Sequence, residues 1–245
     1  MGRSARLEEP SMSQPTLAQG LTPACLDADL QPLLETLTQS LRRDPSATTP
    51  YRYWLLDQML PEGVATALAA LPFHAPDLGG VSGKRELHND SRQYFDAANN
   101  ARYPVCDLLA RFFQADETAR LLQSATGADL RNTQVRIEYA LDTDCFWLQP
   151  HTDLGVKKIT ILYYLPDGPD QEDLGTDIYS AADTWAARAP FKWNTALVFV
   201  PSDNTFHGFE RRDIPGIRRS VIINYVTQDW IARDQLAFPD SPVLI

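Results

Sequence analysis

The chain is predicted to have an α+β fold, mainly β with helical support: a double-stranded β-helix, or jelly roll, preceded by packed helices. Three observations predict it. Apolar residues recur at spacings of three and four through the first half, around Leu30 to Leu41, Tyr53 to Leu71 and Val105 to Ser124, the spacing of a helix with one buried face. After Thr126 and Gly127 the pattern changes to short runs rich in Val, Ile, Tyr and Phe, separated by Pro, Gly and Asp, which is how successive strands read. No helical stretch lies between those runs, so a closed or double-sheet β architecture is favoured over a parallel α/β sheet.

The elements follow in order. Residues 1–50 mix Pro, Ser, Thr, Gln and acidic residues and are expected to be a flexible tail carrying one amphipathic helix at LQPLLETLTQSL. The opening MGRSARLEEPSM reads as an extended start, because a second Met at position 12 begins a more ordinary sequence, and it is set aside from the fold. Residues 51–245 are expected to be one domain, with helical support over 51–126 and the β core at about 130–227. The expected strands are TQVRIEYAL, KKITILYYL, TDIYS, NTALVFVPS and RRSVIINYV, and there is no internal repeat.

Composition excludes several classes of function. With 245 residues, 44% of them hydrophobic, the chain can build a sizeable core. A formal net charge of −10 argues against nucleic acid as a partner, since a phosphate-backbone binder needs a surplus of Lys and Arg. No apolar run is long enough to span a membrane, and no basic segment with an apolar signal core opens the chain, so a cytoplasmic location is expected. Cys25, Cys106 and Cys145 lack the paired spacing of a zinc site or a disulfide framework and are read as free thiols, with Cys145 a small buried filler.

Histidines occur only at positions 74, 88, 151 and 207, and two of them lie beside turn residues in the strand-rich half. In QPHTDLGVKKITILYYL, His151 and Asp153 are two residues apart just before a strand, and period-two alternation aims both at one side. His207, in PSDNTFHGFE after the strand NTALVFV, supplies a third ligand if a later strand passes the same place. Two His and one carboxylate leave three adjacent octahedral positions open, which suits iron(II) binding a bidentate 2-oxo acid and dioxygen side by side. A closed structural zinc site needs no such opening. A co-substrate with a far carboxylate needs a fixed cation, and Arg218, opening RRSVIINYV, provides a planar fork for it. Alternation lets only one of Arg218 and Arg219 face inward; Arg218 is favoured.

The motifs HTD at 151–153, ITILYYL, NTALVFVPSDNTFHG and RRSVIINYV together resemble the iron(II)- and 2-oxoglutarate-dependent oxygenases, especially the prolyl-hydroxylase-like branch. The resemblance covers about residues 130 to 227. It implies iron(II) held by His151, Asp153 and His207, with 2-oxoglutarate and O2 as co-substrates. It also implies Tyr164, at the end of the strand after the HTD, reaching the distal carboxylate of 2-oxoglutarate, with Thr160 and Leu162 on the same inward face. Tyr139 in RIEYAL matches a tyrosine that family members carry near the co-substrate on the opening strand. Where the family often reads Gly-Gly-Glu on its middle strand, this chain has LGTDIYS around Gly175.

Bland readings stand beside each of these. Taken singly, His207 can also read as a turn histidine, Asp153 as a turn former, Tyr164 as a core aromatic and Arg218 as a strand-edge charge; it is their coincidence along one chain that favours the site. His74 and His88 read as packed or solvated residues, and Lys157 and Lys158 as a solvated strand start. The polar segment 83–100 is a candidate lining of the site mouth, with Arg85, His88, Asn89 and Arg92 as contacts for a small-molecule substrate and Trp147 and Gln149 flanking the metal motif. The expected reaction is hydroxylation of a small polar metabolite or natural-product intermediate. A peptide side-chain hydroxylase, a non-catalytic cupin-like module and another metal hydrolase or isomerase are the competing readings.

Overall fold

A computed structural model of the chain describes residues 27–42, 44–76, 83 and 92–245. The elements run α1 (Gln31–Ser40), β1 (Tyr53–Asp57), α2 (Glu62–Ala69), β2 (Gln93–Tyr94), α3 (Ala97–Arg102), α4 (Pro104–Gln114), α5 (Asp116–Thr126) and β3 (Gln134–Asp142). They continue with β4 (Leu148–His151), β5 (Lys157–Tyr164), β6 (Asp177–Ala181), β7 (Thr184–Arg188), β8 (Thr195–Phe199), β9 (His207–Phe209) and β10 (Arg218–Val226). Two sheets result: a six-stranded one in the order β1-β8-β5-β10-β3-β2 and a four-stranded one in the order β4-β9-β6-β7. The paired strands are antiparallel throughout.

The central strands of the larger sheet are buried on both faces, and alternation sorts their side chains between two cores. Ile137, Tyr139 and Leu141 of β3, Ile159, Ile161 and Tyr163 of β5, and Val221, Ile223 and Tyr225 of β10 join the core shared with the helices. Ala140, Leu162, Tyr164 and Ile222, one residue out of step, join the core facing the smaller sheet, with Ile178 and Phe209. Because side chains repeat every two residues, a one-residue slip would exchange the two faces. The helices bury matching stripes: Cys106, Leu109, Ala110, Phe112 and Phe113 on α4, and Leu33 and Leu37 on α1.

Three sequence expectations need correction here. The stretch 53–71 is not one helix. Tyr53 to Asp57 form an edge strand in register with Phe199 to Thr195, and the helix begins only at Glu62. Pairing with β8 overrides the local periodicity, and Gln58, at φ 52°, ends the strand. The buried Asn194 holds the corner that follows, accepting from the Leu60 N–H and donating to its carbonyl. The stretch 105–124 is two helices, broken where Ala115 becomes extended. Cys145 is exposed at φ 72° and is not a buried filler. Cys25 and the opening residues lie outside the described residues. Strands β1, β2, β4, β7 and β9 were not among those expected. Among the described residues, no helix is long and apolar enough to cross a membrane.

Candidate metal centre

The two sheets face each other across His151, Asp153 and His207. His151 ends β4 and stands directly opposite His207, which opens β9, with the ring centroids 4.4 Å apart. Gly208 makes this approach possible: a Cβ there would lie 2.7 Å from the Leu148 carbonyl oxygen, so any larger residue would push β9 off β4. Asp153 follows in the turn after β4, and one ligand atom from each of the three residues lies within 4.8 Å of the others. The structure therefore brings together the set expected from sequence. His74, by contrast, is exposed, and His88 lies outside the described residues, as do Arg85 and Asn89.

Hydrogen bonds orient all three. His151 Nδ1 lies 3.0 Å from the Gln149 carbonyl and His207 Nδ1 3.0 Å from the Thr205 carbonyl. A carbonyl oxygen only accepts, so each Nδ1 carries the hydrogen, and the lone pair of the neutral ring sits on Nε2. Burial lowers the His207 pKa to about 4; the Asp153 carboxylate pulls it upward and the His151 charge pushes it down. Burial also works to raise the Asp153 carboxyl. The Lys157 and His207 charges, with hydrogen bonds from Lys157 and Thr160, overcome that and hold it well below the usual carboxylate range. Lys157 Nζ donates to Asp153 Oδ1 at 2.5 Å and Thr160 Oγ1 to Oδ2 at 2.6 Å.

Lys157 is thus not the solvated strand residue the sequence indicated. The pairing of β10 with β5 passes from Tyr225 opposite Ile159 to Val226 opposite Lys157, skipping Lys158, and this irregularity turns Lys157 inward. Its spacing of four from Asp153 was the one available signal.

Arg218 faces inward, as favoured, and lines the same cavity as Asp153 and His207. It stands opposite Asp142 in the β10–β3 register, with Nη1 donating to Asp142 Oδ2 and Nε to the Leu174 carbonyl, both at 2.6 Å. Its guanidinium carbon lies 4.5 Å from the centre of the Phe209 ring. Arg219 turns the other way, to Asp167. Tyr164 is fully buried on the inward face, and its hydroxyl donates to Thr176, which lines the cavity. Burial raises its pKa, while the Thr176 hydrogen bond and the nearby Arg218 charge oppose the rise.

Tyr139 is a correction. It lies on the opposite face of β3, stacked near Phe95 and edge-on to Phe73, and its hydroxyl donates to the Leu68 carbonyl at 2.8 Å. The inward residues of that strand are Arg136, Glu138, Ala140 and Asp142. Sequence reasoning missed Asp142, and it also missed Asn224, whose amide donates to Thr160 Oγ1 at 2.9 Å.

The donor set suits a divalent transition metal. Two imidazoles and a carboxylate on one side leave room for further ligands, and the deprotonated states required of His207 and Asp153 are those that burial of the one and the Lys157 and Thr160 contacts of the other already favour.

No family model matches the chain, and no curated protein matches it. Solved structures do. A prolyl 4-hydroxylase from Phytophthora capsici is 18% identical at a TM-score of 0.53, the alignment covering 86% of this chain and 68% of that one. A prolyl-4-hydroxylase from Pseudomonas putida is 16% identical at a TM-score of 0.54, covering 80% of this chain and 100% of the other. A prolyl hydroxylase from Trichoplax adhaerens, in complex with a hypoxia-inducible-factor peptide fragment, is 12% identical at a TM-score of 0.50, covering 83% and 92%. At these identities the likeness establishes a shared fold.

Proposed function

We propose that this chain is an iron(II)- and 2-oxoglutarate-dependent oxygenase on a double-stranded β-helix, hydroxylating a C–H bond of a small molecule. One observation carries the reading: His151, Asp153 and His207 converge at one place, and the cavity that Asp153 and His207 line also holds an inward arginine, Arg218. A metal-binding module without turnover has no need of that arginine.

His151, Asp153 and His207 hold the iron. Arg218, with the Tyr164–Thr176 hydroxyl pair beside it, receives the distal carboxylate of 2-oxoglutarate. Bound iron supplies the redox chemistry, in which one oxygen atom of O2 enters the substrate C–H bond and the other enters succinate as 2-oxoglutarate loses CO2. The chain's own work is placement. The Gln149 and Thr205 carbonyls fix both ring tautomers, and Lys157 and Thr160 fix the carboxylate. Phe146, Leu162 and Phe209 keep bulk water away from the centre.

Anaerobic titration of the protein with iron(II) and 2-oxoglutarate tests this. A weak visible charge-transfer band is expected only with both present. His151→Ala or Asp153→Ala should abolish it, and Arg218→Ala should raise the 2-oxoglutarate concentration needed to form it. Tight zinc binding with no band from iron(II) would count against the proposal.

A further inference from the structure

Among the described residues, five ionised side chains line the cavity: Arg92, Lys157 and Arg218 against Asp142 and Asp153. His151 and His207 enter the count as neutral, because an imidazole gives its lone pair to a metal only when deprotonated. One positive charge is left over, and the neighbouring Arg136–Glu138 pair adds nothing to it. Iron(II) and the 2-oxoglutarate dianion cancel each other, so among the described residues the difference of one positive charge persists in the loaded site. An unbalanced charge shielded from water is costly, and an anion relieves it.

The cations differ in how they are engaged. Arg218 makes two aligned hydrogen bonds at 2.6 Å and Lys157 is held on Asp153. Arg92, whose side chain is 6% exposed, lies 3.0 Å from Asp142 Oδ1 and 3.5 Å from Glu138 Oε1. Its Nη1 is buried yet makes no hydrogen bond of acceptable geometry. It has charge contacts without directional ones, which leaves donors for a better-placed acceptor. Its guanidinium carbon sits 5.6 Å from the centre of the Phe146 ring, and Leu148, Phe209 and Ile222 add apolar lining to the same cavity.

We propose that Arg92 receives a carboxylate of the substrate, and that the substrate oxidised is a small monocarboxylic acid with an apolar body; this rests on the oxygenase reading above. A single carboxylate matches the single surplus charge and the planar fork of arginine, whereas a phosphate monoester, at about −1.5 to −2, overshoots it.

The test measures binding, not turnover. The full chain, loaded anaerobically with iron(II) and 2-oxoglutarate, is titrated with phenylacetate, 3-phenylpropionate and hexanoate and with their primary amides, followed by the charge-transfer band and by calorimetry. At least one acid is expected to bind about 10-fold or more tightly than its amide, a difference of one strong charge-assisted contact. Arg92→Gln is expected to bring that ratio within about twofold while leaving the 2-oxoglutarate dissociation constant within about twofold. Should Arg92→Gln not fold, Arg92→Lys decides: a ratio lowered by about threefold or more supports the fork, and an unchanged ratio refutes it. The proposal is overturned if no acid is preferred over its amide, or if the preference survives in Arg92→Gln. A wild-type protein that forms no band with iron(II) and 2-oxoglutarate refutes the oxygenase reading instead, and calorimetry still reports the acid-to-amide ratio.

Discussion

Asn224 and Thr160 stand directly opposite each other on β10 and β5, and the Asn224 amide donates to the Thr160 hydroxyl, which in turn donates to Asp153. The carboxylate of the metal centre is therefore held from two strands of the larger sheet, by a hydroxyl whose own direction is set by a buried amide. Thr160→Val keeps the shape and removes the donor. The expected result is a metal dissociation constant raised about 10- to 100-fold, with Thr160→Ser close to wild type, measured by anaerobic cobalt(II) titration. No change in Thr160→Val would leave Lys157 as the sole orienting contact.

Acid should unfold the metal-free protein through His207. Its pKa is about 4 in the fold, lowered by burial, against an ordinary value of 6.5. Between those values the unfolded chain binds more protons than the folded one, so stability rises with pH across this window and is complete above it. At 1.36 kcal/mol per unit the loss on acidification is on the order of 3 kcal/mol. Asp153 acts in the same direction but below about pH 3.8, the ordinary value for a carboxyl. Urea midpoints measured from pH 6.5 to 4.5 should fall in wild type and fall less in His207→Gln.

Arg218 and Asp142 are both buried, and neither is neutral to remove. Arg218→Gln should raise the 2-oxoglutarate dissociation constant by about 10-fold or more and destabilise the fold by about 3 kcal/mol, because it leaves Asp142 with Arg92 alone. Asp142→Asn should destabilise more, since it leaves two buried guanidinium groups without the carboxylate between them. The double variant should recover roughly 1–3 kcal/mol of coupling, read from denaturant midpoints of the four proteins. Strict additivity would show that the pair is not coupled.

Tyr139→Phe separates packing from co-substrate binding. Losing the hydroxyl strands the buried Leu68 carbonyl, at an expected cost of about 1–3 kcal/mol in chemical denaturation. The 2-oxoglutarate dissociation constant should stay unchanged, and a marked rise in it would return Tyr139 to the site.

What could be read from the residues was whatever depends on local period and on chemistry. The strands β3, β5, β6, β8 and β10, the pairing of His151 with Asp153, the candidacy of His207 and the preference for Arg218 all follow from alternation and from what a ferrous ion and a carboxylate require. The α4–α5 break at Ala115 and the edge strand β1 did not follow, because their apolar spacing also fits one continuous helix. Tyr139 was misplaced for another reason: β3 alternates Val135, Ile137, Tyr139 and Leu141 with Arg136, Glu138 and Asp142, but both of its faces are buried, and periodicity alone does not say which one looks onto the metal centre.

The sequence alone determined which side chains are competent to hold a metal and a carboxylate, since that is a property of their atoms. Only the tertiary structure decided that His151 and His207 meet across β4 and β9, that a skipped residue turns Lys157 onto Asp153, and that Arg92 and Arg218 share Asp142. Those are relations between strands distant along the chain. They are set by register and by burial on facing sheets, which no local window contains.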